Sequence, residues 1–303
     1  MLSIIVCSRN SKLNADFINN INDTIGIDYE LICINNSQNK HTIFSAYNQG
    51  LKLTKYNNFC FLHEDVNFET ADWGKKIMMH LSTPNVGLLG LAGGDAAFRV
   101  PFDWTGLNAS VNITHADKKG LEPTEKVLSP KNYTKTCRSV VMLDGVMLCA
   151  KREVFDKIKF DETLGNFHGY DFDISIQAAI AGYNNYVMYD ISLIHYSQGN
   201  MDAGYFQTMI KVFKKWEKHL PIFENSVSAE EQKKYIPQVE KQRLNKLLKR
   251  MVRARMKTSE IASIYSYYTK IIGNKAEIFM LIFIYLRIFF IYFTSILRRK
   301  MKK

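Results

Sequence analysis

The chain has 303 residues, 47% of them hydrophobic and 23% charged, with a net charge of +11; this suits a full buried core with appendages and excludes a disordered or fibrous protein. Residues 1–204 hold 18 Lys/Arg against 22 Asp/Glu, whereas residues 205–303 hold 22 against 7. A mildly acidic body with a strongly basic tail points to a polyanionic surface as partner, either membrane or nucleic acid.

Residues 2–7 form an apolar run that reads as a strand and ends in Ser8-Arg9-Asn10. The run is too short for a signal-peptide core. Residues 12–24 read as a helix, and residues 29–34 as a second strand ending in Asn35-Asn36-Ser37. Residues 42–54 read as a helix with Ile43, Ala46, Tyr47, Gly50, Leu51 and Leu53 near one face. Residues 59–62 form a third strand that runs into His63-Glu64-Asp65. This rhythm implies right-handed βαβ crossovers and a parallel sheet. All three strands end in polar residues, at the edge where open α/β sheets bind ligands.

Further on, residues 73–81 read as a helix and residues 86–91 as a strand entering Ala92-Gly93-Gly94. Residues 99–136 are polar and carry Pro101, Pro123 and Pro130, so they predict a long irregular loop of functional use. Residues 139–143 and 146–150 are strand-like around Asp144-Gly145; residues 172–182 read as a helix, 186–189 as a strand and 204–219 as a helix stopped by Pro221. The five Cys show no C-x-x-C spacing. They predict free thiols in a reduced, cytosolic compartment.

The character changes beyond Pro237, and the division predicted is 1–221 for a catalytic domain and 222–303 for a helical tail. Residues 238–257 set Leu244, Leu247, Leu248, Met251 and Val252 at helical spacing with Lys/Arg on the other faces. Such a helix suits an anionic membrane surface. Residues 278–297 are more hydrophobic and are followed by a basic end. Their length would span a bilayer. Arg287 at the centre favours in-plane or shallow insertion instead, and burial against the body is the alternative.

Several residues carry chemistry. Asp65 is the first choice for holding Mg²⁺ or Mn²⁺, because hard carboxylate oxygens suit both ions. His63 is a second ligand or a donor contact. His195 follows an apolar run, and reads either as reaching the metal or as a core histidine. Asp171 and Asp173 open a helix, where acids also serve as caps; in the functional reading Asp171 is a general base.

In order and spacing these pieces resemble the GT-A glycosyltransferases of the family-2 type over about residues 2–200. Ser3-Ile4-Ile5-Val6-Cys7-Ser8-Arg9-Asn10 resembles the family's opening strand, and Leu31-Ile32-Cys33-Ile34-Asn35-Asn36-Ser37 its second. Ala46-Tyr47-Asn48-Gln49-Gly50 resembles its Ala-x-Asn-x-Gly helix. Phe61-Leu62-His63-Glu64-Asp65 stands where the family has Asp-x-Asp. Tyr170-Asp171-Phe172-Asp173 resembles the helix start that supplies the base. The His-Glu-Asp form and the Gly-Gly after Leu91 are similar to a bacterial, streptomycin-biosynthesis-protein-like subgroup. The chain departs from the pattern at His63 (usually Asp), Asn35 (often Asp) and Tyr170 (usually Glu).

The resemblance implies a Rossmann-like, mostly parallel sheet flanked by helices; the basic, hydrophobic C-terminal appendage is read from the residues that follow it. It implies an inverting, metal-dependent enzyme moving a sugar from a nucleotide-diphosphate-sugar to a hydroxyl acceptor. Asp171 would be catalytic, and Asp65 and His195 would hold Mn²⁺ or Mg²⁺. Ser8, Arg9, Asn10, Asn35, Asn48, His63 and Glu64 would face the donor; Asp144, Gly145, Trp104 and Tyr170 would face the acceptor. The acceptor would be lipid-linked or a polysaccharide at the cytoplasmic face of the membrane, with no nucleic acid as partner and a homodimer left open. The rivals are a nucleic-acid- or membrane-binding protein on an inactive GT-A scaffold, and a sugar-nucleotide nucleotidyltransferase. Ser8-Arg9-Asn10-Ser11-Lys12 lacks the glycines that the latter needs for its phosphate loop.

Overall fold

The structure is a computed structural model and describes residues 1–116, 124–128, 135–165, 167–197 and 201–273. The chain opens as β1 (Leu2–Ser8), α1 (Ala15–Thr24), β2 (Tyr29–Asn35), α2 (Ile43–Leu53) and β3 (Asn58–Leu62). The two helices start where the sequence supplies caps. Asn14 accepts from the Asp16 amide, and Thr42 and Ser45 cap each other reciprocally. Then follow β4 (Val66–Phe68), α3 (Trp73–Leu81), β5 (Val86–Gly90), β6 (Ala92–Gly94), β7 (Ala96–Ala97), β8 (Ala109–His115), β9 (Thr124–Leu128), β10 (Cys137–Val140), β11 (Met142–Leu143) and β12 (Met147–Lys151). The remaining elements are α4 (Arg152–Phe155), α5 (Tyr170–Ile180), β13 (Asn184–Met188), β14 (Leu193–His195), α6 (Ala203–Trp216), β15 (Ile222–Phe223), α7 (Ala229–Arg253) and α8 (Thr258–Ile271).

The main sheet has seven strands in the order β10-β13-β5-β12-β3-β1-β2. β1 is parallel to β2 and β3, and β13 to β5, so the carboxyl ends of the first three strands share one edge. β12 is antiparallel to β3 and β5. That reversal sets the amino end of β12, with Asp144 and Gly145 just before it, beside the carboxyl end of β3. The His63 amide donates to the Val146 carbonyl at 3.1 Å. A second, six-stranded sheet carries β11-β6-β8-β14-β4, with β9 paired to β8. There β14 meets β4 with His195 opposite Val66.

Residues 99–136 were expected to be irregular, yet they contain β8 and β9. β8 hides from a hydropathy reading because its buried face includes Ser110, Asn112 and Thr114. Asn112 is satisfied at a distance, donating to the Ile191 carbonyl at 2.6 Å. The two runs around Asp144-Gly145 do not form a hairpin. β10 pairs with β13, β11 with β6, and β12 with β3 and β5. All five cysteines are free.

The expected boundary at residue 221 finds no break in packing. β15 pairs with β7, and Leu244, Leu247, Leu248, Met251 and Val252 of α7 join the same core cluster as Phe172, Phe206 and Phe213. The apolar stripe of α7 therefore faces the body and is not available to a membrane, which corrects the reading of residues 238–257. Polar locks fix the seat. Glu240, fully buried, takes a paired set of hydrogen bonds from Arg99, and buried Arg243 donates to the carbonyls of Val100 and Asp103. Among the described residues no helix is long and apolar enough to cross a membrane; residues 278–297 lie outside them.

Candidate functional site

The site forms where β1, β3, β12 and β14 end together. Glu64 bridges two strand ends, accepting from the Ser8 hydroxyl and from the Arg9 amide at 2.9 Å. Arg9 and Asn10 are exposed at the rim, as is Asn35, whose side chain accepts from the Ser37 amide at 3.0 Å. Asn48 lies elsewhere. Its amide donates to the Phe160 carbonyl and to Glu162, each at 2.8 Å, and so ties α2 to the chain before α5.

His63, Asp65 and His195 converge so that one ligand atom from each lies within 4.8 Å of the others. Asp65 Oδ1 is 3.3 Å from His195 Nε2 and 3.9 Å from His63 Nδ1. The two imidazole nitrogens are 3.4 Å apart. Ser197, which the sequence reading passed over, sets its hydroxyl 3.1 Å from His195 Nε2. Burial alone would raise the Asp65 carboxyl, but the hydrogen bond and field of His195, with His63 and Ser197, outweigh it and hold the acid well below the usual carboxylate range. Burial, together with the field of His195, lowers His63, favouring the neutral ring that a metal needs.

Tyr170 decides which nitrogen of His63 is free. Its hydroxyl donates to the Gly145 carbonyl at 2.8 Å and lies 2.9 Å from His63 Nε2. A carbonyl only accepts, so the hydroxyl hydrogen goes there and the phenol oxygen accepts from His63 Nε2–H. The lone pair of Nδ1 is thereby aimed at Asp65 and His195. Tyr170 was expected on the acceptor side; it is instead buried behind His63, beside Tyr47 and Phe44. Gly145 admits it, because a Cβ there would lie 2.2 Å from the Tyr170 oxygen.

Asp171 follows Tyr170 at the start of α5, whose cap is Gly169 at φ +76°. Burial pushes its carboxyl up to about 7, and the charge of Asp144 adds to the rise. Asp144 accepts from Trp104 Nε1 at 3.0 Å and from the Val146 amide at 3.0 Å. The structure thus brings Asp144, Trp104 and Asp171 into one neighbourhood. Tyr205 of α6 joins them. Burial raises its phenol, as do the fields of Asp171, Asp103 and Asp144. His168 stacks edge-on against Tyr205, with ring centroids 5.4 Å apart. Tyr205 was not singled out from the sequence, and no local signal marks it. Asp173 points away and is structural, bound to Lys215 at 2.9 Å and Trp216 at 2.7 Å.

Two imidazoles and a carboxylate converging from two separate segments, the turn after β3 and the end of β14, fit a divalent cation. The His195 Nδ1 atom is buried and finds no hydrogen-bond partner among the described residues, so the ring is held by packing and by its Nε2 contacts.

Residues 3–217 match the model of a glycosyltransferase-like family. The chain belongs to that family. No curated protein sequence matches it. Among solved structures it is similar to GalNAc-T7 with UDP, GalNAc and Mn²⁺, at 11% identity and a TM-score of 0.51, covering 89% of this chain and 56% of that one. It thus spans little more than half of that relative. It is also similar to A197 from STIV, at 16% identity and a TM-score of 0.39, covering 65% of this chain and 86% of that one, a likeness too loose to argue from. The fold is that of the GT-A glycosyltransferases, a large mixed sheet flanked by helices.

Proposed function

We propose that the chain is an inverting glycosyltransferase that moves a sugar from a nucleotide-diphosphate-sugar to a hydroxyl acceptor. One observation carries this reading. The charge of Asp144 acts both on His63 of the His63–Asp65–His195 cluster and on the carboxyl of Asp171, so the two groups lie on either side of Asp144. A cation-holding group and a raised carboxylate in the neighbourhood of one residue are what displacement at an anomeric carbon requires.

His63, Asp65 and His195 would hold the ion, and their nitrogen-rich set favours Mn²⁺ over Mg²⁺, which prefers oxygen ligands. When bound, it would screen the negative charge that grows on the departing diphosphate. Arg9, Asn10 and Asn35 line the rim on which the nucleotide would lie. Asp171 takes the proton of the acceptor hydroxyl, and the oxygen attacks the anomeric carbon from the face opposite the diphosphate. The bond to the phosphate oxygen breaks, and the nucleotide diphosphate leaves with that electron pair. A carboxyl near 7 is basic enough to accept the proton and half ionised at neutral pH. Burial, with the charge of Asp144 held by Trp104, keeps it so.

We further infer a lipid-linked or glycan acceptor in cell-surface glycan synthesis, with the enzyme at the cytoplasmic face of a bacterial membrane. The supports are the excess of 22 Lys/Arg over 7 Asp/Glu beyond residue 204 and the apolar segment at residues 278–297. The test is a screen of nucleotide-sugars with Mn²⁺ by thermal unfolding. A donor at 100 times its Kd adds about 2.7 kcal/mol. Stabilisation should require both donor and ion in the native chain. Asp171→Asn should keep it and lose turnover. No stabilisation with any donor would overturn the proposal.

A further inference from the structure

Outside the cation site, a second constellation joins three groups far apart in the chain: His80, Cys137 and Asp190. His80 sits in the last turn of α3, where a helix end favours a protonated ring. A carboxylate only accepts, so the hydrogen bond of 2.9 Å between His80 Nε2 and Asp190 Oδ1 places a proton on that nitrogen. The imidazole is also hydrogen-bonded to Cys137. Burial opposes charge on the ring, but Asp190 and Cys137 outweigh it and raise His80 to about 9. The backbone brings the sulfur there. Cys137 opens β10, the edge strand of the main sheet, and stands opposite Met188 of β13. The Tyr189 amide donates to the Thr136 carbonyl at 2.8 Å, so Asp190 leaves the sheet beside the start of β10.

The imidazole and the acid are inside, with side chains 6% and 14% exposed. Cys137 is half-buried and follows exposed Lys135 and Thr136, so a small molecule has an approach to the sulfur. Lys76 of α3 lies 3.9 Å from the other oxygen of Asp190, and Tyr186 of β13 lies within the field of Cys137. The remaining cysteines are set differently. Cys60 and Cys149 are fully buried opposite each other on β3 and β12. Cys33 is exposed and Cys7 half-buried. Burial, and then the charge of Glu64, push the Cys7 thiol up to about 11 and raise Cys33 in the same direction. Cys137 meets an imidazole instead, and a protonated ring beside a sulfur favours the thiolate, the form that attacks. The set is not arranged to hold an ion: among the described residues only His63, Asp65 and His195 bring ligand atoms within 4.8 Å of one another.

We propose that Cys137 is a thiol modification site, at which His80, oriented by Asp190, promotes attack on a small-molecule disulfide. The Sγ atom attacks one sulfur and forms a mixed disulfide with the chain. The sulfur–sulfur bond of the small molecule breaks, and its other sulfur leaves with the electron pair. The proton given up by the Cys137 thiol passes by way of His80 to the departing thiolate. A thiol and a disulfide thus exchange partners, and no other oxidant is needed. None of the three residues belongs to the glycosyl-transfer site, so this chemistry stands or falls apart from that reading.

The test treats the reduced full chain with oxidised glutathione at pH 6, where about one ordinary thiol in 300 is ionised. Intact mass and peptide mapping follow the adduct. The first glutathionyl group should appear on Cys137, ahead of the more exposed Cys33. Cys137→Ser should lose that fast adduct. His80→Gln should slow the reaction of Cys137 about tenfold and leave that of Cys33 unchanged. Should that variant fail to fold, Asp190→Asn keeps the ring, removes the charge that orients it, and should slow the same adduct. Labelling of Cys33 before Cys137, equal rates in the native chain and His80→Gln, or no adduct on Cys137 would each overturn the proposal.

Discussion

Removing the Tyr170 hydroxyl tests the construction of the cation site at its least obvious point. Tyr170→Phe deletes one oxygen from a residue that is 5% exposed. The Gly145 carbonyl and His63 Nε2 lose partners at 2.8 and 2.9 Å. Leaving such groups buried and unpaired costs about 1–3 kcal/mol of stability. The specific effect is on His63, whose ring is no longer held with Nδ1 toward Asp65. Loss of a partner that orients a ligating histidine weakens metal binding by about 10- to 100-fold, equivalent to roughly 1.4–2.7 kcal/mol. Titration of Mn²⁺ followed by the resonance of the free ion measures this directly. His63→Ala should lose more, because it removes the ligand itself. Gly145→Ala should move in the same direction, since its methyl would meet the phenol oxygen at 2.2 Å. An unchanged Mn²⁺ affinity in a Tyr170→Phe protein that merely melts earlier would refute the tautomer argument and leave the hydroxyl a core group.

Other expectations are independent of the metal. Turnover should fall as pH drops through about 7, where Asp171 takes up its proton; in Asp144→Asn that acid limb should move down by about one unit, because a like charge is removed while burial remains. A limb that stays in place would detach Asp144 from the titration of Asp171. Burial opposes charge on His80, but its hydrogen bond to Asp190 and the neighbouring Cys137 raise it from 6.5 to about 9. A raised folded value adds stability that is complete below pH 6.5 and is lost as pH rises through 9, at most about 3 kcal/mol. Urea unfolding at pH 6 and pH 10 should show this fall, and His80→Gln should abolish it. Glu240→Leu leaves the Arg99 guanidinium without its carboxylate and should cost about 3–5 kcal/mol; a change below 1 kcal/mol in denaturant unfolding would contradict the seating of α7.

The first half of the fold was legible because its signals are local. β1, β2 and β3 are apolar runs with polar ends, and α2 and α3 carry their periodicity in adjacent turns. The strand-end residues His63 and Asp65 were legible for the same reason. What escaped depends on partners far away in sequence. β8 looks polar until Asn112 is seen to be satisfied by β13 and the turn after it. α7 shows an apolar stripe that suits a bilayer as well as a core, and only the buried Glu240 and Arg243, paired with residues about 140 positions earlier, decide between them. Tyr170 stands beside Asp171 in the chain, yet it turns inward because Gly145, brought near by the reversal of β12, leaves room for it.

The seating of α7 also limits how the gene can be shortened. A chain cut after residue 221 would end at the predicted domain boundary, and would look like a tidy catalytic unit. It would lose the carboxylate that neutralises Arg99 and the guanidinium that props the carbonyls of Val100 and Asp103, next to the tryptophan that holds Asp144. Expression trials should therefore keep everything through α8, and a silent truncated product would report a collapsed wall rather than an inert enzyme.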